Sequence, residues 1–124
     1  MFEKVVEIGL LFDFYGKLLS SRQFQAIELY YIHDLTLTEI GEQLKISRQG
    51  AYDLVKRAES LLYKYEDTLG LVKRFEMNRK KAQNLRCLLQ NLKNDSNIIN
   101  EKNKKTFEEI NIIIKQLLGN QEVK

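Results

Sequence analysis

The chain contains no proline in 124 residues, and this absence restricts its fold more than any other feature of the sequence. Proline ends helices and shapes many tight turns, so a chain without it tolerates long uninterrupted helices. Glycine, the other residue typical of turns, occurs only six times. The composition therefore argues against a turn-rich β-sandwich and predicts an all-α fold.

Three serine or threonine residues mark the starts of predicted helices. Ser20 and Thr36 each precede a Gln or Glu by three residues, which is the spacing of a capping box, and Ser47 is a simple cap. Before them, apolar residues recur at helical spacing from Glu3 to Leu19. The side chains of this first stripe, predicted to be buried, are Val5, Ile8, Leu11, Phe12, Tyr15, Leu18 and Leu19. Residues 1–70 are thus predicted to form a domain of four helices.

Residues 71–124 are predicted to form a basic helical extension. Their net charge is +6, whereas that of residues 1–70 is −3. Two helices are expected in the extension, over residues 71–92 and from the region of Ile98 to Leu118, with a polar break at residues 94–97. The apolar cluster in residues 110–118 is too large to lie in water. We therefore expect the extension to pack on the first domain or on a second copy, and we favour a homodimer.

A helix-turn-helix motif is predicted for residues 37–57. Such a motif needs a small residue where its first helix meets the second, and Gly41 lies at that position. It also needs apolar residues beside this contact, in the turn and along the second helix. The residues at those positions are Ile40, Leu44, Ile46, Ala51 and Leu54.

The second helix of the motif carries the predicted binding residues. These nucleic-acid-binding residues are Ser47, Arg48, Gln49, Tyr52, Lys56 and Arg57. Arg48 could read a guanine edge and Gln49 an adenine edge, while Lys56 and Arg57 would reach phosphates. Asp53 lies on the same face and would repel phosphate, which leaves open a weakly binding motif or one that contacts RNA or protein.

Five short motifs occur in the chain: Leu-Phe-Asp-Phe-Tyr at 11–15, Ser-Arg-Gln at 47–49, Ala-Tyr-Asp at 51–53, Lys-Arg at 56–57 and Tyr-Glu-Asp-Thr-Leu at 65–69. The span from Leu19 to Gln49 resembles region 4 of bacterial sigma factors, and with these motifs the chain more closely resembles the YlxM family of small bacterial proteins. The resemblance covers residues 8–75. It implies a sigma-region-4-like fold and an accessory or regulatory role in the signal recognition particle pathway.

Two functions from different classes follow from these observations. The first is a regulatory protein that binds DNA through the helix-turn-helix. The second is an adaptor that contacts the GTPase or the RNA of the signal recognition particle without reading DNA. In the second, phosphate contacts would come from the extension, at Arg79, Lys80 and Lys81.

Catalysis has no support in the sequence. The chain has one histidine, His33, and one cysteine, Cys87, which cannot form a zinc site. Cys87 lies among leucines and is expected to be a small buried apolar residue. No cofactor, metal or membrane insertion is expected. A single cysteine cannot form an internal disulfide, so we expect a cytoplasmic protein.

Overall fold

The computed structural model describes residues 2–94 and 100–119, and all regular structure in these ranges is helical. The helices are α1 (Phe2–Tyr15), α2 (Ser21–Ile27), α3 (Leu37–Leu44), α4 (Arg48–Leu69), α5 (Leu71–Lys93) and α6 (Glu101–Gly119). A 3₁₀ turn (Gly16–Leu18) follows α1, and a π-helical segment (Glu28–Ile32) continues α2. The all-α prediction is confirmed. The expected break at 95–97 and the expected start at Ile98 lie outside the described residues.

The predicted caps form at the starts of α2, α3 and α4. The Ser20 and Thr36 hydroxyls accept from the backbone N–H groups of Gln23 and Glu39, whose side chains accept from the cap residues' own N–H groups. The backbone N–H of Thr36 thereby lowers the pKa of the Glu39 carboxyl. The Ser47 hydroxyl accepts from the Gly50 N–H at 2.9 Å. These bonds fix the first residue of each helix.

The chain divides into two compact units, Met1–Val72 and Lys73–Lys124. In the first unit, α1, α2 and α3 all pack against α4. Its buried core consists of Ile8, Leu11, Phe12, Tyr15, Leu19, Ala26, Ile27, Ile40, Ala51, Val55, Ala58 and Leu62. Helix α4 is thus the element on which the other three are assembled.

Two residues of the first apolar stripe are not buried, so that part of the prediction is wrong. Leu18 is 55% exposed because α1 ends at Tyr15 and the 3₁₀ turn no longer follows the period of an α-helix. Val5 is 46% exposed because it borders an open groove near the start of α1. The remaining predicted stripe residues belong to the core.

Tyr15 ties the end of α1 to the end of α4. Its side chain is 1% exposed, and its hydroxyl donates to Oε1 of Glu66 at 2.5 Å. The same hydroxyl accepts from the Leu71 N–H at 3.0 Å, and Glu66 Oε1 also accepts from the Val72 N–H. Burial, followed by the bond to Glu66, raises the pKa of Tyr15. We call these bonds among Tyr15, Glu66, Leu71 and Val72 the Tyr15 latch. They connect the end of α1 to the last residues of the first unit.

The turn between α3 and α4 explains the glycine at position 41. Lys45 ends α3 with a left-handed φ of 60°, and the N–H groups of Lys45 and Ile46 both bond to the Gly41 carbonyl. A Cβ at Gly41 would lie 2.7 Å from the Ile46 carbonyl oxygen. The close approach predicted from sequence exists, but the crowding atoms belong to the turn backbone rather than to the body of the second helix.

In the second unit, few side chains of the described residues are buried. Ala82 of α5 and Ile114 of α6 are buried. Large apolar side chains are exposed at Met77, Leu85, Leu88, Leu92, Ile112, Ile113 and Leu117. Cys87 is exposed as well, so the expectation of a buried thiol is wrong. The neighbouring Leu88 is 60% exposed, so this part of α5 is not covered by other described residues.

Candidate nucleic-acid interface

The six predicted binding residues lie at the N-terminal cap and in the first three turns of α4. Arg48, Gln49, Tyr52, Lys56 and Arg57 are all exposed, and Ser47 precedes them as the cap. The tight turn after α3 and the Ser47 cap fix where this row of side chains begins. Because successive turns of a helix bring residues four apart onto one face, the row separates into two stripes.

The first stripe consists of Arg48, Tyr52 and Lys56, spaced four residues apart. The Lys56 ammonium lies 5.6 Å from the centroid of the Tyr52 ring and 3.7 Å from Oε1 of Glu59. Lys56 is therefore partly neutralised before any ligand arrives. Arg48 has no hydrogen bond or ion pair with another residue in the described part of the chain, which leaves its guanidinium available.

The second stripe contains Gln49, Asp53 and Arg57. The Gln49 amide donates from Nε2 to Oδ1 of Asp53 at 3.1 Å. This bond uses one of the two N–H groups of the amide with which a glutamine reads adenine. Asp53 therefore opposes nucleic-acid binding at this surface in two ways. It holds the Gln49 amide, and it places a negative charge on the exposed face. Further along, Arg57 borders a shallow depression with Gln23 and Ser60.

Glu59 is a buried charged residue beside the candidate interface that the sequence analysis missed. It is 6% exposed, and it accepts from the Tyr31 hydroxyl at 2.6 Å through Oε2. Its Oε1 lies 3.2 Å from the Lys4 ammonium, which is on the first turns of α1. The bond and charge of Glu59 raise the pKa of Lys4, while burial, reinforced by Glu59, raises that of Tyr31.

A signal for Glu59 does exist in the sequence. Residue 59 lies four positions after Val55 and three before Leu62, so helical spacing places it on the same face as these two apolar residues. A carboxylate on that face must find partners when it is buried. The sequence does not reveal that these partners come from α1 and the π-helical segment.

The first stripe, which consists of Arg48, Tyr52 and Lys56, borders an open groove of about 660 Å³ within the first unit. Its walls come from α1, the π-helical segment, the loop before α3, and α4. We call it the α4 groove. Its principal polar and aromatic lining residues are Lys4, Tyr30, Asp34, Arg48, Tyr52 and Lys56.

The basic residues of the extension belong to the second unit. Arg79, Lys80 and Lys81 are consecutive on α5, and all three are exposed. Their role in binding stays a prediction.

Within residues 2–94 and 100–119, no group of three His, Cys, Asp or Glu side chains could hold a metal ion. In the same ranges, no helix is both long and apolar enough to cross a membrane.

Comparison with known proteins agrees with the observed turn and helices. Residues 2–110 match a family model, UPF0122, described as "Putative helix-turn-helix protein, YlxM / p13 like". A relative from Listeria welshimeri, UPF0122 protein lwe1821, is 39% identical over 110 residues, covering 89% of this chain and 96% of the relative. One from Bacillus mycoides, UPF0122 protein BcerKBAB4_3669, is 40% identical over 110 residues, which again cover 89% of this chain and 96% of the relative. A third, from Acetivibrio thermocellus, is 49% identical over 80 residues, covering 64% of this chain and 68% of the relative.

Proposed function

Because the chain belongs to the UPF0122 family of helix-turn-helix proteins, we propose that it is a nucleic-acid-binding regulatory protein that docks through the first turns of α4. The family model describes helix-turn-helix proteins, which supports binding rather than catalysis as the activity proposed here. One observation carries the proposal. A capped helix follows a tight helix-turn-helix turn and presents Arg48, Gln49 and Tyr52 to solvent at its N-terminal end.

The mechanism combines phosphate anchoring with modest base reading. Arg48, Lys56 and Arg57 supply positive charge, and the free N–H groups at the start of α4 favour a phosphate near Ser47. Arg48 and Gln49 are the residues closest to that end and would reach base edges in the major groove of DNA. The Asp53 carboxylate competes with a base for the Gln49 amide, so we expect low sequence specificity.

The cellular role we propose is that of an accessory protein in the signal recognition particle pathway, as the family resemblance implies. DNA is the first candidate partner, and a cytoplasmic location accords with the single cysteine. The resemblance of residues 19–49 to region 4 of sigma factors supports DNA as the partner. A homodimer would place two recognition helices in register on a DNA duplex.

The second candidate is an adaptor that contacts the RNA or the GTPase of the signal recognition particle. Specific observations favour it. Residues 1–70 carry a net charge of −3. The Asp53 carboxylate accepts a hydrogen bond from the Gln49 amide, and Glu59 partly neutralises Lys56. The exposed Arg79, Lys80 and Lys81 would then supply most of the phosphate contacts.

A competition experiment by fluorescence anisotropy distinguishes the two. Labelled duplex DNA from upstream of the protein's own operon is challenged with unrelated duplex and with signal recognition particle RNA at moderate salt, because non-specific phosphate binding weakens steeply as salt rises. Under the first function, Arg48→Ala weakens binding to operon DNA about 10-fold, or roughly 1.4 kcal/mol. Lys64→Ala, which removes the same charge from an exposed position further along α4, is the matched control.

Each result has a defined meaning. Operon DNA that resists unrelated duplex supports a sequence-reading regulator. RNA that displaces the probe, with unrelated DNA competing as well as operon DNA, supports the adaptor. In that case the triple change of Arg79, Lys80 and Lys81 to Ala should weaken RNA binding more than Arg48→Ala does. If neither set of variants affects binding to any nucleic acid, both site assignments are wrong.

A further inference from the structure

The α4 groove has features that the docking of a double helix on α4 does not require. Two of its aromatic residues, Tyr30 and Tyr31, come from the π-helical segment. Segments of this kind are rare and often occur at functional sites. The groove then continues to Asp34, whose φ of 58° is in the left-handed region. An irregular backbone thus forms one wall, opposite the regular helix that carries Tyr52.

The groove contains both aromatic and aliphatic surface. Tyr30 is half-buried and contacts Tyr31 edge to face, with ring centroids 5.0 Å apart. Tyr52 is 43% exposed, and the Lys56 ammonium lies near its ring. Aliphatic side chains that line the groove are Val5, Leu35, Leu37 and Val55. A flat aromatic ligand would therefore find both a stacking partner and an apolar floor.

Charge at the groove favours an anion near Arg48. Three cations line it, and the carboxylates among its described lining residues are those of Asp34 and Glu59. Glu59 is buried and already bonded to Lys4, Lys56 and Tyr31, so its charge is compensated within the protein. Arg48 has no such partner among the described residues and can bind a phosphate.

We propose that the α4 groove binds an unpaired nucleotide of a nucleic-acid strand. Its base lies against Tyr52 and Tyr30, and its phosphate is held by Arg48 and Lys56. This inference rests on the proposed nucleic-acid binding. It adds that the protein prefers a nucleic acid with an unpaired nucleotide over a fully paired one. Asp34 can accept a hydrogen bond from a base N–H group, which no phosphate contact would use.

The dimensions and chemistry favour a nucleotide over a peptide. A groove of about 660 Å³ lies within the 300–1,000 Å³ typical of small-ligand sites, which suits one nucleotide. Tyrosine rings bind bases of any type by stacking, and a neighbouring cation anchors the strand. An aliphatic peptide would leave the Arg48 guanidinium without a counter-charge.

The test compares two hairpins with identical stems, of which one carries a single extra unpaired 2-aminopurine nucleotide. Each is made as DNA and as RNA, and binding to the full chain is measured by anisotropy and by 2-aminopurine fluorescence, which is quenched on stacking. The bulged hairpin should bind about 10-fold more tightly than the fully paired one, as one stacked base provides. Binding should also quench the 2-aminopurine.

Variants identify the groove as the source of this preference. Tyr52→Ala and Tyr30→Ala should abolish the preference for the bulge, while Tyr52→Phe keeps it because the ring remains. Arg57→Ala is the control. Arg57 does not line the groove, so its loss should weaken binding to both hairpins by the same factor. Thermal unfolding of each variant verifies that the fold is intact.

Contrary outcomes separate this inference from the proposed function. Equal affinity for the two hairpins, with binding still sensitive to Arg48→Ala, would overturn the groove proposal and leave the proposed function standing. A bulge preference that survives Tyr52→Ala would also overturn it. If free AMP binds as tightly as the bulged hairpin, the site belongs to a mononucleotide and not to a strand. Absence of binding to every probe would contradict both proposals.

Discussion

At Gly41, one methyl group decides whether the turn of the helix-turn-helix can close. A Cβ there would lie 2.7 Å from the Ile46 carbonyl oxygen, and a backbone atom has little freedom to move away. Gly41→Ala should therefore lower the free energy of unfolding by about 1–3 kcal/mol, the usual cost of overpacking. Urea denaturation followed by circular dichroism measures this.

Gly9→Ala is the matched control for this change. No atom lies within 4 Å of a Cβ at Gly9, which is in the middle of α1. Alanine should stabilise the helix there by up to about 1 kcal/mol. A Gly41→Ala protein as stable as the wild type would mean that the turn is looser than the structure shows.

Asp53 limits affinity at the proposed interface. Asp53→Asn removes a negative charge from the binding face and weakens the hold on the Gln49 amide. We expect binding to duplex DNA to tighten about 3- to 10-fold, in line with the removal of one like-charge repulsion. Asp67→Asn makes the same charge change near the other end of α4 and should have little effect. Equal gains in both variants would show that only net charge matters.

The Tyr31–Glu59 bond should make stability depend on alkaline pH. Burial, with Glu59 beside it, raises the Tyr31 pKa in the folded protein above its ordinary value of 10.0. The stabilisation is therefore complete below pH 10 and decreases as the pH rises above that value. Tyr31→Phe should be less stable at pH 7 by about 1–3 kcal/mol and lose this part of the pH dependence. Denaturant titrations from pH 7 to pH 11 test it, and an unchanged slope would contradict it.

At the scale of the helix, Ser47 both caps α4 and occupies the expected phosphate position. Ser47→Ala removes the bond to the Gly50 N–H and should cost about 1 kcal/mol of stability. Ser47→Asp keeps a capping oxygen and should restore the stability, but its negative charge should weaken DNA binding. Thermal melts and anisotropy on both variants separate the two roles. DNA affinity unaffected by aspartate would place the phosphates elsewhere.

The helices follow from local chemistry, and for this reason the sequence predicts them well. The side chains of Ser20, Thr36 and Ser47 cap their helices through hydrogen bonds to residues three positions later. Because the two partners of each bond are so close in sequence, the spacing of residue types is enough to predict the cap. The π-helical segment has no comparable signature, because residues 28–32 read as ordinary helix.

For the proposed binding residues, the sequence predicts their order along α4 and their place on its exposed face, and their role in binding stays a prediction. The bond from Gln49 to Asp53 spans four residues and lies within reach of sequence analysis. The contacts of Glu59 with Lys4 and Tyr31 do not, since they depend on how α1 and the π-helical segment pack on α4. The α4 groove arises from the same packing.

At the scale of the whole molecule, the exposed apolar residues of the second unit bear on the proposed homodimer. Leu85, Leu88 and Leu92 recur at helical spacing on α5, which is typical of a helix that packs on a partner. Leu88→Glu should therefore convert a dimer to a monomer, as measured by light scattering after size-exclusion chromatography. Val6→Lys, at an exposed apolar position of α1, is the control. A dimer that persists in Leu88→Glu would remove α5 from the interface.

The Tyr15 latch has a consequence for the newly made chain on the ribosome. Tyr15 bonds to the Leu71 N–H, 56 residues later in the sequence. At 5–20 residues per second, α1 waits about 3–11 s for that partner to be synthesised. Early in this interval, before residues 48–69 have been made, Ile8, Leu11 and Phe12 have no α4 to pack against. Translation speed between codons 16 and 71 thus sets how long the end of α1 waits for its bond to Leu71.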